Sequence, residues 1–181
     1  TMLRNVHERW FPAPPEALEP WVAKLWSGGA DDAFPHDFIR SWRKNPPGVP
    51  ADAVIAGVTR TGHGRFSFLV EEAGPRKVRY GVRGGLEGWH QLELIPDGQG
   101  TLVRHSLEIR RPLLKVLAFR LLILPLHDWA VEAIFDRLGE ALRTGKVPGR
   151  TARQPPALYL PILRKVGAGE ANRRPDVREA A

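Results

Sequence analysis

From residue 77 to residue 110, apolar and polar side chains alternate almost without a slip. Val78, Tyr80 and Val82 share one parity. So do Leu86, Gly88, His90, Leu92 and Leu94, and then Val103, His105, Leu107 and Ile109. Charged and polar residues hold the other parity, with Glu87, Gln91 and Glu93 in one run and Arg104, Ser106, Glu108 and Arg110 in the next. A period of two is the signature of a strand with one packed face and one wet face. Consecutive strands of this kind, separated by Gly84-Gly85 and by Pro96-Asp97-Gly98-Gln99-Gly100, read as an antiparallel meander. Such a sheet exposes an apolar face that something else must cover.

The cover lies downstream. Leu114, Leu117, Leu121, Leu124, Val131, Phe135, Leu138 and Leu142 recur at helical intervals, so 113–142 is expected to be a long helix. Pro125 predicts a kink near Leu124, and Arg143-Thr144-Gly145 predicts the end. Upstream, Val6–Phe11 reads as a strand, with Val6, Glu8 and Trp10 on one side and His7, Arg9 and Phe11 on the other. Pro14 or Pro15 then opens a helix over Ala17–Trp26 that Pro20 is expected to kink or split. A second short helix, capped by Asp31 or Asp32, carries Phe34, Phe38, Ile39 and Trp42. Two further strands, Ala53–Thr59 and Arg65–Glu72, complete the sheet.

Composition narrows the chemistry. The 181 residues include no cysteine, which excludes disulfides, thiolate metal sites and cysteine nucleophiles. The start, TMLRNVHERWFPAPP, lacks the apolar core of a secretion signal, and Leu113–Leu126 is too short to span a bilayer, so a soluble cytoplasmic protein is expected. The formal charge is +7, but residues 1–143 carry only +2 of it and residues 144–181 carry +5. That division predicts a nearly neutral domain over 1–143 and a basic, Pro/Gly-rich tail over 144–181, partly docked or disordered. Within the tail, Ala157–Leu163 is the apolar piece expected to dock. A basic tail suits weak contact with an anionic membrane, whereas no aromatic-interleaved basic patch marks a specific nucleic-acid site.

Three stretches carry a family resemblance: HERWFPAPPEAL at 7–18, GLEGWHQLELIPDGQGTLVRHSLE at 85–108 and PLLKVLAFRLLILPLHDWAVEAIFDRLGEAL at 112–142. Together they resemble the SRPBCC superfamily, the START-related, polyketide cyclase/dehydrase-like group. The resemblance implies an α+β helix-grip fold. In it a curved antiparallel sheet of about six or seven strands wraps around a long C-terminal helix, with two short helices after the first strand. It also implies an internal cavity. Members bind lipids, sterols, polyketides or other hydrophobic ligands there. A minority catalyse cyclisation or dehydration, and others act as co-chaperones or membrane-associated proteins.

Read on their own spacing, His90 and His105 are the sharpest constellation. If Pro96 lies opposite Thr101, then Leu92 faces His105 and His90 faces Leu107, and the two histidines meet diagonally on the apolar face. A three-residue turn at 83–85 would place Val78 opposite His90 and Tyr80 opposite Gly88, leaving room beside Tyr80. The expected cavity wall is Phe66, Phe68, Val78, Tyr80, His90, Leu92, His105, Leu107, Val131 and Phe135. His90, His105 and Tyr80 are the catalytic candidates if the protein is an enzyme, with a neutral histidine as base and the tyrosine as donor. In the other reading the same three groups are polar handles for a bound ligand, or are satisfied by neighbours. Asp128 is expected to cap a restarted helix while His127 turns toward the sheet. The six histidines contain no His-x-x-x-His pair, so no metal or other cofactor is expected. The expected function is binding of a small hydrophobic ligand. The alternatives are a cyclase or dehydratase using the same cavity, and an interaction protein that docks through its tail or through Leu113–Leu126.

Overall fold

The computed structural model describes residues 1–39, 45–61, 67–83, 87–163 of the chain. They form a six-stranded antiparallel sheet in the order β1-β6-β5-β4-β3-β2. The strands are β1 (Met2–Phe11), β2 (Thr59–Thr61), β3 (Ser67–Ala73), β4 (Lys77–Arg83), β5 (Glu87–Asp97) and β6 (Gly100–Arg110). Helix α1 (Pro15–Val22) follows β1, and α2 (Leu113–Leu122) and α3 (Leu124–Thr144) follow β6. This is the α+β helix-grip architecture: a curved sheet closed by a long C-terminal helix.

The β5–β6 hairpin turns at Gly98 and Gln99, so Pro96 pairs with Thr101, Leu92 with His105 and His90 with Leu107. The β4–β5 register differs from expectation by two residues: Val78 pairs with Leu92, Tyr80 with His90 and Val82 with Gly88. The observed pairs are symmetric about residue 85 rather than 84, and the resulting shift of two keeps every side chain on its face. Gly88 therefore opens no space beside Tyr80. A Cβ there would lie 2.1 Å from the Glu108 carbonyl oxygen, so the glycine serves close strand approach.

Several elements depart from the sequence reading. Residues 53–58 are irregular, with a turn at 56–57, and the strand begins only at Thr59. Helix α1 stops at Val22 and runs through Pro20. The missing donor costs little, because Pro20 lies on the exposed side of a two-turn helix. The second helix is represented over 35–39 by a single turn in which Phe38 and Ile39 donate to the Pro35 carbonyl. Trp42 lies outside the described residues, as do Phe66, His63 and Gly84-Gly85. Asp32 caps this turn differently from a helix cap: its carboxylate accepts from the main-chain N–H groups of Trp26, Gly28 and Phe34.

The expected break in the long helix falls at Ile123, between α2 and α3. Pro125 then occupies the first turn of α3, where its missing N–H has no intrahelical partner to lose. Gly145 ends α3 in the left-handed conformation, φ 78°, which glycine adopts without penalty. The apolar stripe is not continuous across the break. Leu114, Leu117 and Leu121 are exposed, at 79%, 49% and 64%, while Val116 is the buried residue of α2. On α3 the stripe of Val131, Ile134, Phe135 and Leu138 is buried against the sheet. Residues 145–163 return over the outside of α3. Thr151 donates from its N–H and its hydroxyl to Asp37, Trp129 donates to the Arg153 carbonyl, and Tyr159 donates to the Leu122 carbonyl. Among the described residues no helix is long and apolar enough to cross a membrane.

Candidate functional site: a histidine-lined cavity

The concave face of the sheet divides into a filled half and an open half. Over the filled half, Leu18 and Val22 of α1 and Leu25 beyond it join Val70, Val78, Leu92, Phe135 and Leu138 in one dry cluster. Over the open half a cavity of about 350 Å³ remains. That lies near the lower end of the range for small-molecule sites, roughly 300–1,000 Å³. The sheet contributes Phe68, Val82, His90, His105, Leu107 and Ile109. Leu126, His127, Ala130, Val131 and Ile134 of α3 face them. Phe119 and Ile123 close one side, and Trp26, Phe34 and Ile39 the other.

Of the expected wall, Phe68, His90, His105, Leu107 and Val131 are at the cavity. Val78, Tyr80, Leu92 and Phe135 are not: they are at most 1% exposed and belong to the filled half, because α1 packs over that end of the sheet. The Tyr80 hydroxyl donates to the Leu25 carbonyl at 3.2 Å, so it is tied to main chain rather than aimed at a bound molecule. Phe66 lies outside the described residues. The other eleven lining residues, among them Trp26, Phe34, Val82, Ile109 and His127, are not in the expected wall. Trp26 sits in a loop whose shape no periodicity reports.

Trp26 is the organising ring. It lies 4.3 Å from the His90 ring, 5.0 Å from Tyr80 and 6.1 Å from His105, centroid to centroid. It holds φ at 62°, a left-handed conformation that a bulky side chain adopts only under constraint. The constraint is visible on both sides of the residue. Its N–H donates to Asp32, and its carbonyl accepts from the wholly buried Arg60 guanidinium at 2.6 Å. Arg60 also donates to the Ser27 and Ala51 carbonyls, so one cation ties together the loop that presents the indole.

The polar part of the wall is a row of imidazoles. His90 and His105 lie 6.1 Å apart, the diagonal relation that the β5–β6 register dictates, and His105 and His127 lie 5.1 Å apart. His7 stands directly opposite His105 across β1–β6, 6.3 Å from His127. Burial pushes His105 well below its ordinary 6.5, and the neighbouring His127 and His7 push the same way. Burial also lowers His127, partly offset by Asp128. These two rings are therefore neutral near pH 7, each able to donate from one nitrogen and accept at the other. His105 Nδ1 and His127 Nε2 are buried without a hydrogen-bond partner.

Asp128 is not a helix cap. It is the fifth residue of α3, and it accepts from Asn5 and pairs with His7 on β1, 3.1 and 3.0 Å away. The inward face of β1 is polar because it meets an acidic stripe on α3. Asn5, His7 and Arg9 face Asp128, Glu132 and Asp136. Two residues of strand advance about 6.6 Å and four of helix about 6 Å, so the two series stay in step. The i, i+4 carboxylates were the available sequence signal, hidden behind the apolar stripe on the same helix.

No protein-family model and no curated protein sequence matches the chain. Solved structures do match by shape. Norcoclaurine synthase from Thalictrum flavum superposes with a TM-score of 0.54 at 16% identity, over 80% of this chain and 88% of that one. A point mutant of that synthase in complex with a transition-state analogue gives 0.51 at 17% identity, over 80% and 96%. The protein Ara h 8.0201 gives 0.50 at 14% identity, over 80% and 99%. At these identities the likeness is one of fold: the chain has the helix-grip fold.

Proposed function

We propose that the protein binds a small hydrophobic ligand non-covalently in the cavity between sheet and C-terminal helix. The observation that carries this reading is the wall itself: an apolar hollow of about 350 Å³ whose polar side chains are three histidines on one side. An apolar wall rewards any ligand that fits, and a few convergent polar groups select among ligands by orientation. Burying about 300 Å² of apolar ligand contributes about 7 kcal/mol gross, which leaves micromolar affinity within reach after association costs. His105 and His127, held neutral by burial, suit a carbonyl or hydroxyl group better than a charged one. A protein of this fold in complex with a small molecule, the norcoclaurine synthase mutant with its transition-state analogue, supports the reading by analogy. Native mass spectrometry of the purified protein against a panel of lipids and polyketide-like aromatics tests it. A one-to-one adduct with at least one apolar class is expected; no adduct with any of them would reject the reading.

A second reading rests on α2. Leu113, Leu114, Leu117, Leu121 and Leu122 are 49–79% exposed on one short helix. Exposed apolar residues in this number mark a contact surface. Lys115 and Arg120 on the same helix suit an anionic lipid surface. Because Phe119 and Ile123 belong to the cavity wall, a surface that engages α2 also touches the route to the ligand. Sedimentation with anionic vesicles at rising salt tests this contact: association that falls with salt is expected, and none at low salt would reject it.

A further inference from the structure

Beside the cavity, the seam between β1 and α3 gathers ligating atoms from opposite ends of the chain. One ring nitrogen each of His7 and His127 and a carboxylate oxygen of Asp128 lie within 4.8 Å of one another. His7 Nε2 is 3.0 Å from Asp128 Oδ1, and His127 Nδ1 is 3.5 Å from the same oxygen. Both nitrogens of His127 are shielded from solvent although its side chain is 19% exposed through carbon; Nδ1 has only the long 3.5 Å approach to Asp128, and Nε2 has no hydrogen-bond partner. An imidazole with Nε2 unpartnered and Nδ1 held only loosely, set beside a carboxylate and a second imidazole, is not accounted for by packing alone.

We propose that His7, His127 and Asp128 form a binding site for a divalent transition-metal ion of borderline softness, of which Zn²⁺ is the model case. Two imidazoles and one carboxylate are a donor set such ions favour, and they leave coordination positions open. Ligands bound at about 2.0–2.2 Å in tetrahedral geometry stand about 3.4 Å apart. The 3.0 and 3.5 Å separations are already close to that spacing. The surrounding groups hold the ligands in the required state. Glu132 Oε1 lies 2.9 Å from His7 Nδ1 and accepts its N–H, so that when an ion displaces the Nε2 proton shared with Asp128, the Nε2 lone pair faces the ion. Arg9 fixes Glu132 from the other side, and Asn5 donates to Asp128. Asp128, 40% exposed, leaves a path from solvent. His127 is also a wall residue of the cavity, so an ion here would stand at the polar end of whatever the cavity holds.

The test needs the metal alone. The full chain, freed of metal with a chelator, is titrated with Co²⁺ by visible spectroscopy and with Zn²⁺ by calorimetry. One equivalent binding in the micromolar range or tighter is expected, with ligand-field bands that Zn²⁺ displaces. Asp128→Asn, which keeps shape and size, and His127→Ala should each weaken binding at least tenfold. Glu132→Gln should weaken it about tenfold through His7, and His36→Ala should leave it unchanged. Circular dichroism checks that each variant is folded. Saturation only above about 1 mM in the wild-type protein, or equal affinity in wild type, folded Asp128→Asn and folded His127→Ala, would overturn the proposal.

Discussion

Arg60 shows how much of the site depends on a residue that never touches it. Its guanidinium is wholly buried and donates to three main-chain carbonyls, two of them at Trp26 and Ser27. Arg60→Met would leave those acceptors without donors in a dry loop, at about 1–3 kcal/mol for each one not rescued by water. A loss of about 3 kcal/mol in urea unfolding is expected, with weaker ligand binding because the Trp26 wall loses its support. A loss under 1 kcal/mol would contradict this assignment. His105 makes the opposite case. Its buried Nδ1 has no partner, so His105→Leu should leave stability unchanged or raise it by about 1 kcal/mol. Any ligand that uses the ring as a polar handle should bind about tenfold more weakly, while a pure hydrocarbon of the same size should not. At this scale His90 and His105 were legible in the sequence, because a two-residue turn fixes the β5–β6 register and strand parity does the rest. His127 was legible only as a residue turned toward the sheet, and Trp26 not at all. Their placement depends on a positive φ and on a helix break, neither of which leaves a periodic trace.

Among the elements, α2 and α3 divide one apolar run into two different jobs. The helical spacing of Leu114, Leu117, Leu121 and Leu124 looked like a single buried stripe. The break at Ile123 rotates α2 so that Val116 and Phe119 turn inward and the leucines face out. Leu114→Ser and Leu121→Ser together should change folding stability by less than about 0.5 kcal/mol each, because both are already exposed. They should also lower association with anionic vesicles severalfold. A stability loss of about 2 kcal/mol or more would show that these leucines are core after all. Adjacent glycines at 84 and 85 are compatible with a turn centred on either residue, and moving the centre by one shifts the β4–β5 register by two. The face assignment survived because the error was an even number of residues. The β1–α3 seam escaped the reading for another reason. Strand parity gave the two faces of β1 correctly, but the more polar one points inward, toward carboxylates supplied 121 or more residues later.

For the molecule as a whole, the two strongly buried imidazoles set an acid response. His105 and His127 bind protons less readily folded than unfolded. The unfolded chain therefore takes up protons first as pH falls, and stability declines from about pH 6.5 downward, by about 1.4 kcal/mol per unit for each ring that stays neutral in the fold. Above that pH these groups contribute no slope. Asp128 acts in a lower window. Burial alone would raise it, but hydrogen bonds and charge from His127 and His7 outweigh that and hold it below 3.8. Its stabilising share is lost only as pH falls through that depressed value. Urea midpoints between pH 8 and pH 5 check the upper window, and His105→Leu should remove about half of the slope. A flat profile would mean that the rings are solvated.

The central claim is that the hollow between sheet and helix is there to be filled by a ligand. Ala130, buried on α3 at the cavity wall, offers the direct test, because Ala130→Phe places a ring in the space without replacing a histidine. Calorimetric titration of wild type, Ala130→Phe and His127→Ala, with the best apolar ligand from the mass-spectrometry panel, separates filling of the space from disturbance of His127, which lies one turn away on the same helix. Micromolar one-to-one binding to the wild type and at least a hundredfold loss in folded Ala130→Phe, beyond any loss in His127→Ala, are expected. Equal affinity in wild type and Ala130→Phe would contradict the account, since the ligand would then be binding somewhere other than the cavity.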